Sequence, residues 1–280
     1  MREISAQKII ETVSELCIKA NVFLPDDVSK SLETSALNEK KETALGIFRE
    51  IIENIKIAKN SGEALCQDTG IAEIFLKIGQ DVHITGGNII DAVNKGVYEG
   101  YKKGFLRKSV VNDPLERKNT GSNTPAVVYT EIVPGEKLEI IVLPKGGGSE
   151  NASTLEMLAP LEGWEGIKKF VIESVKTKGI KSCPPLIVGV GIGGSFSSAP
   201  MLSKKALLRE IGSVSKNDFY AKKEQELLNA INETNVGPMG LGGNVTAMAV
   251  HIETAPCHIA SMPVAISMQC HSCRRMTATL

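Results

Sequence analysis

Apolar residues recur every three or four positions along the first sixty residues, which is the spacing of amphipathic helices. Ile9, Ile10, Val13 and Leu16 form one such stripe, and Cys17 lies on it. The pattern predicts helices over 5–20, 26–36 and 41–60. We therefore expect residues 1–62 to be helical and Cys17 to be a small buried core residue rather than a ligand.

After Gly62 strand-like and helical patterns alternate. A Pro134-Gly135 turn predicts that strands 126–133 and 138–143 form a hairpin. The other predicted elements are strands 71–78, 186–190, 245–253 and 263–268, and helices 88–103, 165–178, 202–211 and 218–232. We expect a mixed α/β (α+β) fold, in which a helical N-terminal segment precedes mixed β-sheets flanked by helices, within one domain spanning 1–280.

The composition is that of an ordinary globular protein. Of 280 residues, 42% are hydrophobic and 23% charged, and Lys+Arg and Asp+Glu number 32 each, so the formal net charge is zero. A zero net charge does not indicate binding to nucleic acid or to an anionic membrane. The N-terminus lacks the apolar core of a signal peptide, and no apolar run approaches the roughly 20 residues of a membrane span. A cytoplasmic protein without disulfides is expected.

Three of the six cysteines, Cys66, Cys183 and Cys270, lie in predicted turns or at strand edges rather than on apolar stripes. Three thiolates on a four-iron cluster would leave one iron open as a Lewis acid. Buried structural thiols remain an alternative. So does a zinc site made from Cys257-His258 and the Cys270-x-x-Cys273 pair, although adjacent ligands are unusual for zinc.

Glycine-rich stretches suggest two kinds of backbone site. Gly189, Gly191 and Gly194 match a dinucleotide-binding fingerprint with Glu210 downstream, but Pro200 is expected to interrupt the following helix, which favours a glycine-lined substrate cavity. The stretches 191–199 and 240–248 echo each other and are interpreted as two turns lining one cavity. A third stretch, Lys145–Ser149, could form a small anion nest or a plain turn.

Several polar residues near the cysteines are candidates for acid–base work. His258 and His271 each adjoin a cysteine, and a histidine near neutral pKa can move a proton. Asp68 follows Cys66 by two residues and could share a site with it or simply cap a turn.

Long stretches of the chain resemble one family, the alpha subunit of class I iron-sulfur hydro-lyases, which includes class I fumarate hydratase and L-tartrate dehydratase. The matching stretches are CQDTG at 66–70, LRKSVVNDPLERKNTGSNTPA at 106–126, PKGGGSEN at 144–151, SCPP at 182–185, GVGIGGSFSSAPMLSKKALL at 189–208, GPMGLGG at 237–243 and CHIASMPVAISMQCHSCRR at 257–275.

The resemblance implies a 4Fe-4S cluster held by Cys66, Cys183 and Cys270, with one iron available to substrate. It also implies that Asp68 and His258 act in catalysis and that three further residues bind substrate. These three are Gln67, Arg107, whose planar fork suits a carboxylate, and Gly147 through its backbone N–H. Cys257 and Cys273 have no role in the resemblance.

The implied reaction is the reversible hydration or dehydration of a small C4 dicarboxylate. Hydration of fumarate to L-malate is the first expectation, and dehydration of L-tartrate to oxaloacetate is the alternative. A rival from a different class is a non-catalytic, metal-stabilised scaffold or redox sensor. The resemblance further implies a separate beta subunit, expected in an α2β2 assembly, that supplies the rest of the active site.

Overall fold

The computed structural model describes residues 2–280, which contain ten strands and eight α-helices. In chain order these elements are β1 Arg2–Ser5, α1 Ala6–Val22, α2 Asp26–Asn38, α3 Glu42–Ser61, β2 Ile71–Gly79, β3 Val82–Thr85, α4 Ile89–Lys103, β4 Val127–Val133, β5 Leu138–Lys145, α5 Gly147–Asn151, β6 Thr154–Leu158, α6 Gly163–Lys178, β7 Leu186–Gly193, α7 Ser198–Ala206, α8 Asp218–Asn232, β8 Ala247–Ala255, β9 Met262–Gln269 and β10 Met276–Thr279.

The predicted mixed α/β fold is confirmed, and the three predicted N-terminal helices correspond to α1, α2 and α3. The sequence patterns missed five short elements, each of four or five residues: β1, β3, α5, β6 and β10. Such segments are too short to show a clear apolar period. Among residues 2–280, no helix is long and apolar enough to cross a membrane.

The chain divides into two compact units. Unit 1 comprises the described part of Met1–Pro25 together with Ile55–Gly147 and Arg274–Leu280, and unit 2 comprises Asp26–Asn54 and Gly148–Cys273. The predicted helical segment 1–62 is therefore divided between the two units. Helix α1 belongs to unit 1, α2 belongs to unit 2, and the boundary at Asn54 falls within α3.

Unit 1 is built on a four-stranded sheet with the order β10-β5-β2-β4, and β1 pairs with β3 beside it. Helices α1 and α4 pack closely because α4 has glycines at the contact. A Cβ added at Gly96 would lie 2.7 Å from the Cβ of Val13. Cys17 is fully buried in the core that these helices share with the sheet, which confirms it as a core residue.

The predicted hairpin between β4 and β5 is wrong, because β2 lies between these strands. β2 pairs in parallel with β4 and antiparallel with β5. The Pro134-Gly135 connection passes around the end of β2, where the Gly79 N–H donates to the Lys137 carbonyl at 2.8 Å. A short connection between two apolar strands normally indicates a hairpin. Here a mostly buried third strand takes the central place.

Unit 2 is built on a second mixed sheet with the order β6-β9-β7-β8. Its core contains buried residues of α6, α8, β7, β8 and β9, and the partly buried Leu158 of β6 packs against them. Gly189 and Gly191 lie inside β7, where an added Cβ would meet the Ser203 and Ala199 carbonyl oxygens of α7 at 2.1 and 2.2 Å. These glycines therefore let a helix lie directly on the strand, and they line neither a dinucleotide turn nor a substrate cavity.

Two further expectations about the glycine-rich segments are corrected. Pro200 does not interrupt the helix after Gly194; it is the third residue of α7, in the first turn, where proline is tolerated. The two similar turns do not line one cavity. β7 and β8 are parallel, so Gly194 follows the end of β7, whereas Gly240 precedes the start of β8. The two turns lie at opposite edges of the sheet.

Candidate active site

The turn before β2 carries three of the predicted site residues, Cys66, Gln67 and Asp68. Cys66 and Asp68 are half-buried and Gln67 is exposed. The Asp68 N–H points to the Cys66 Sγ at 3.4 Å, and the Leu65 N–H donates to the Asn21 carbonyl at 2.8 Å. The turn therefore presents a thiol and a carboxylate side by side on a backbone that is fixed to α1.

Asp68 lies beside the predicted anion nest of unit 1. Its Oδ2 accepts the Gly147 N–H at 2.8 Å, and its Oδ1 accepts the Gly70 N–H at 3.1 Å. A Cβ at Gly146 would lie 3.1 Å from Oδ2, so glycine allows this approach. The anion held by the Gly147 amide is thus the carboxylate of the chain itself.

Arg107 belongs to the same part of unit 1. The Thr69 hydroxyl donates to the Arg107 carbonyl at 2.8 Å, which ties the segment after α4 to the Cys66 turn. The Arg107 residue is exposed. Its backbone is therefore anchored while its guanidinium can reach a ligand in solution.

Two predicted cysteine ligands lie at one edge of the unit 2 sheet. β7 and β9 are antiparallel, with Ile187 opposite Gln269, so the chain before β7 and the chain after β9 meet at the same edge. Cys183 precedes β7 and Cys270 follows β9. The link is direct, because the backbone N–H of His271 donates to the Cys183 carbonyl at 3.3 Å and its Nδ1 lies 3.1 Å from the same oxygen.

Cys183 also has an unusual backbone. Its φ of 51° is left-handed, a conformation that non-glycine residues adopt at a cost and often at functional sites. The residue is exposed. In the glycine-rich loop before β8, the Met239 N–H donates to the Pro184 carbonyl at 2.9 Å, which supports this turn.

The glycine-rich loop is fastened in turn by Glu39, a buried carboxylate between α2 and α3. Burial raises the pKa of Glu39, but hydrogen bonds from the amides of Lys41, Lys40, Asn244 and Val245 outweigh it, and the pKa lies below its ordinary value. Glu39 is therefore a charged acceptor that binds the loop. No motif in the sequence marks this buried carboxylate as catalytic.

His258 lies away from the two cysteines of unit 2. It is exposed in the connection between β8 and β9, whereas Cys270 follows the far end of β9. An eight-residue strand separates these positions by about 26 Å. The same separation rules out the zinc alternative, because Cys257 and His258 cannot share an ion with Cys270 and Cys273 of the same chain.

Within residues 2–280, no three histidine, cysteine, aspartate or glutamate side chains are gathered closely enough to hold a metal ion. All six cysteines are thiols. Thiolates are the ligands that iron-sulfur clusters use. Cys183 and Cys270 lie on adjoining turns of unit 2, and Cys66 lies on a turn of unit 1, so the donor chemistry fits such a group.

Sequence reasoning did not find the residues that support the Cys66 turn. Arg274, Tyr101 and Asn123 are buried and donate hydrogen bonds to its backbone. The sequence gives little sign of this role. Arg274 lies within the last matching stretch and Asn123 within the second, but no local pattern connects either residue to the Cys66 turn.

Comparison with known proteins identifies the family of the chain. A family model described as fumarate hydratase (Fumerase) matches residues 10–279. A Methanocaldococcus jannaschii protein provisionally named L(+)-tartrate dehydratase subunit alpha is 45% identical over 275 residues, covering 96% of both chains. The L(+)-tartrate dehydratase subunits alpha of Escherichia coli K12 and Shigella sonnei are each 35% identical over 278 residues, covering 98% of this chain and 91% of theirs.

The chain therefore belongs to the fumarate hydratase family. Membership makes it a hydro-lyase chain, a carbon–oxygen lyase that adds or removes water. This confirms the resemblance found in the sequence motifs and sets aside the non-catalytic scaffold or redox sensor.

Proposed function

We propose that this chain is the alpha subunit of a hydro-lyase that removes water from L-tartrate to give oxaloacetate. Fumarate was the first expectation from the sequence, but the relatives that cover nearly the whole chain are named L(+)-tartrate dehydratase subunits alpha. The observation that carries the hydro-lyase proposal is the Cys66 turn, where a thiol adjoins a carboxylate held by two backbone amides.

Cys66, Cys183 and Cys270 would hold a 4Fe-4S cluster. When bound, that cluster would supply an iron without a protein ligand as a Lewis acid for the substrate hydroxyl and carboxylate. The adjoining turns that carry Cys183 and Cys270 support the proposal, as does the half-buried thiol of Cys66. An iron of this kind is sensitive to oxygen, which is our reason to propose a reducing, cytoplasmic location.

Asp68 is proposed to move a proton, with Gln67 beside it facing the substrate. The exposed guanidinium of Arg107 would bind one substrate carboxylate through two parallel hydrogen bonds. Asp68 already engages the Gly147 N–H at 2.8 Å. A substrate carboxylate can take this donor only when Asp68 releases it, so we propose that substrate binding and the reorientation of Asp68 are coupled.

The catalytic role proposed for His258 carries a structural condition. His258 lies at the edge of the unit 2 sheet opposite to Cys183 and Cys270. If its ring acts beside those thiols, it must come from another copy of the chain. Mixing a His258→Ala chain with a Cys270→Ser chain would then restore part of the activity, whereas action within one chain would leave the mixture inactive.

A second subunit is proposed to complete the active site. The relatives are named as alpha subunits, which indicates that each functions with a partner subunit. We propose the same for this chain, with two alpha and two beta subunits in the assembly. The partner would supply additional groups for a substrate with two carboxylates.

The proposed function is tested by assaying the chain, loaded anaerobically with iron and sulfide, with and without the proposed beta subunit. We expect dehydration of L-tartrate only when both subunits are present, and hydration of fumarate at a lower kcat/KM. Preference for fumarate would overturn the choice of substrate. Full activity of the single chain would overturn the requirement for a partner.

A further inference from the structure

Three buried side chains donate hydrogen bonds to the backbone of the Cys66 turn. Three consecutive carbonyls, those of Asp68, Thr69 and Gly70, each accept a hydrogen bond. Nη2 of Arg274 donates to Asp68 O at 3.0 Å, Oη of Tyr101 to Thr69 O at 2.8 Å, and Nδ2 of Asn123 to Gly70 O at 3.1 Å. One turn thus has its carbonyls fixed from three places in the sequence.

These donors are almost completely inaccessible to solvent: Arg274 is 2% exposed, and Tyr101 and Asn123 are 0% exposed. Burial raises the pKa of Tyr101, so its hydroxyl keeps the donated proton throughout the neutral range. Asn123 has a left-handed φ of 59°, which asparagine tolerates, and its Oδ1 also accepts the Ser109 N–H at 2.6 Å. The same amide therefore links the segment after Arg107 to the turn.

Arg274 contributes more than one hydrogen bond. Its Nη1 donates to Asn21 Oδ1 at 3.1 Å, and the Asn21 carbonyl accepts the Leu65 N–H, so the residue fixes both ends of the segment Leu65–Asp68. Among the described residues no carboxylate forms an ion pair with Arg274, and its Nε has no hydrogen-bond partner. A buried cation with neutral acceptors is costly compared with an apolar side chain of similar volume.

We propose that Arg274, Tyr101 and Asn123 are positioning residues that hold the backbone of the Cys66 turn, which carries the Asp68 carboxylate and the Cys66 thiol, in its working position without touching the substrate. The two amides that bind the carboxylate, those of Gly70 and Gly147, depend on where the Asp68 backbone lies. If the turn shifted by a fraction of an ångström, the hydrogen bonds from both amides to the carboxylate would weaken. The catalytic part of this proposal rests on the proposed function; the structural part does not.

The structural part is tested by hydrogen exchange on the chain without metal. Tyr101→Phe removes one hydroxyl and keeps the shape, and Arg274→Lys keeps the charge but can serve only one of the two acceptors. We expect the Gly70 and Gly147 amides to exchange several-fold to about tenfold faster in both variants, as for the loss of one hydrogen bond. Arg209→Lys is the matched control, because Arg209 is mostly buried but pairs with Glu224 in unit 2.

In the loaded two-subunit enzyme, Tyr101→Phe and Arg274→Lys should lower kcat by more than they raise KM, and Arg274→Gln should lower kcat further than Arg274→Lys does. Equal exchange at Gly70 and Gly147 in wild type and Tyr101→Phe would overturn the proposal even if the enzyme were active. If the variants exchange faster but the enzyme binds no cluster, the structural part of the proposal is supported and the proposed function is contradicted.

Discussion

Asp68 is the residue whose surroundings most clearly suggest chemistry. Its two oxygens accept the amides of Gly70 and Gly147 at 3.1 and 2.8 Å, and its own amide faces the Cys66 sulfur. A half-buried carboxylate on an anchored turn is well placed to exchange a proton with a bound substrate.

We expect Asp68→Asn to lower kcat of the two-subunit enzyme by about 100-fold or more, because the amide can neither accept the proton nor satisfy both N–H donors. Steady-state kinetics on L-tartrate would measure it. Asp113→Asn is the control, since the Asp113 carboxylate also accepts two backbone amides but in an exposed turn. An Asp68→Asn enzyme with kcat like that of the control would exclude Asp68 from catalysis.

Cys17 is expected to be inert in the native chain. Burial raises the pKa of its thiol to about 12, so little thiolate forms near pH 8 and reagents cannot reach it. Alkylation with iodoacetamide at pH 8 followed by peptide mapping should label the exposed Cys257 and leave Cys17 unmodified. Labelling of Cys17 at the rate of Cys257 would show that the α1 core opens readily.

At the scale of single residues, the sequence identified the candidates but not their neighbours. The motif containing Cys66 and Asp68 stood out because it resembles a family. The hydrogen bonds that hold it come from Tyr101, Asn123 and Arg274, between 31 and 206 residues away. No local pattern marks a donor whose acceptor lies so far along the chain.

Among the elements, β7 and α7 show how glycine decides packing. Gly189 and Gly191 face α7 so closely that an added methyl group would overlap its carbonyl oxygens. Because α7 and β9 pack on the same strand, this contact helps to fix the edge at which Cys183 and Cys270 emerge. Gly189 and Gly191 therefore influence the positions of Cys183 and Cys270 through the packing of α7 on β7.

We predict that Gly191→Ala lowers the free energy of unfolding by about 1–3 kcal/mol or more, because the core cannot absorb the overlap. Urea unfolding followed by circular dichroism would measure it. Gly46→Ala is the control: Gly46 lies in α3 with open space around it, so alanine should stabilise the chain by about 0.5–1 kcal/mol. A neutral Gly191→Ala would contradict the close packing of α7 on β7.

Sequence periodicity predicted the long elements well because each buries a continuous apolar face. The helix over 218–232 and the strand that begins at Ile71 agree with the structure to within a residue. The pairing of the strands was predicted less well. The placing of β2 between β4 and β5 depends on contacts across the whole of unit 1, and a four-residue connection gives no sign of the strand inserted there.

For the whole molecule, the division into two units matters most. The proposed ligands are divided along the chain, with Cys66 in unit 1 and Cys183 and Cys270 in unit 2. Composition could not reveal this division, because both units share a mixed α/β character and no linker separates them. The resemblance of scattered motifs predicted the ligand set, and the sheet of unit 2 explains how two of its members come to adjoin.

The central proposal is that three thiols would hold a cluster with one iron open to the substrate. The most direct test is the Mössbauer spectrum of the two-subunit enzyme, loaded with isotopically enriched iron, before and after addition of L-tartrate. We predict that the signal of one iron in each cluster changes, and that Cys66→Ser, Cys183→Ser and Cys270→Ser abolish the cluster while Cys257→Ser retains it. A cluster spectrum unaffected by tartrate, or a full cluster in any of the three ligand variants, would contradict the claim.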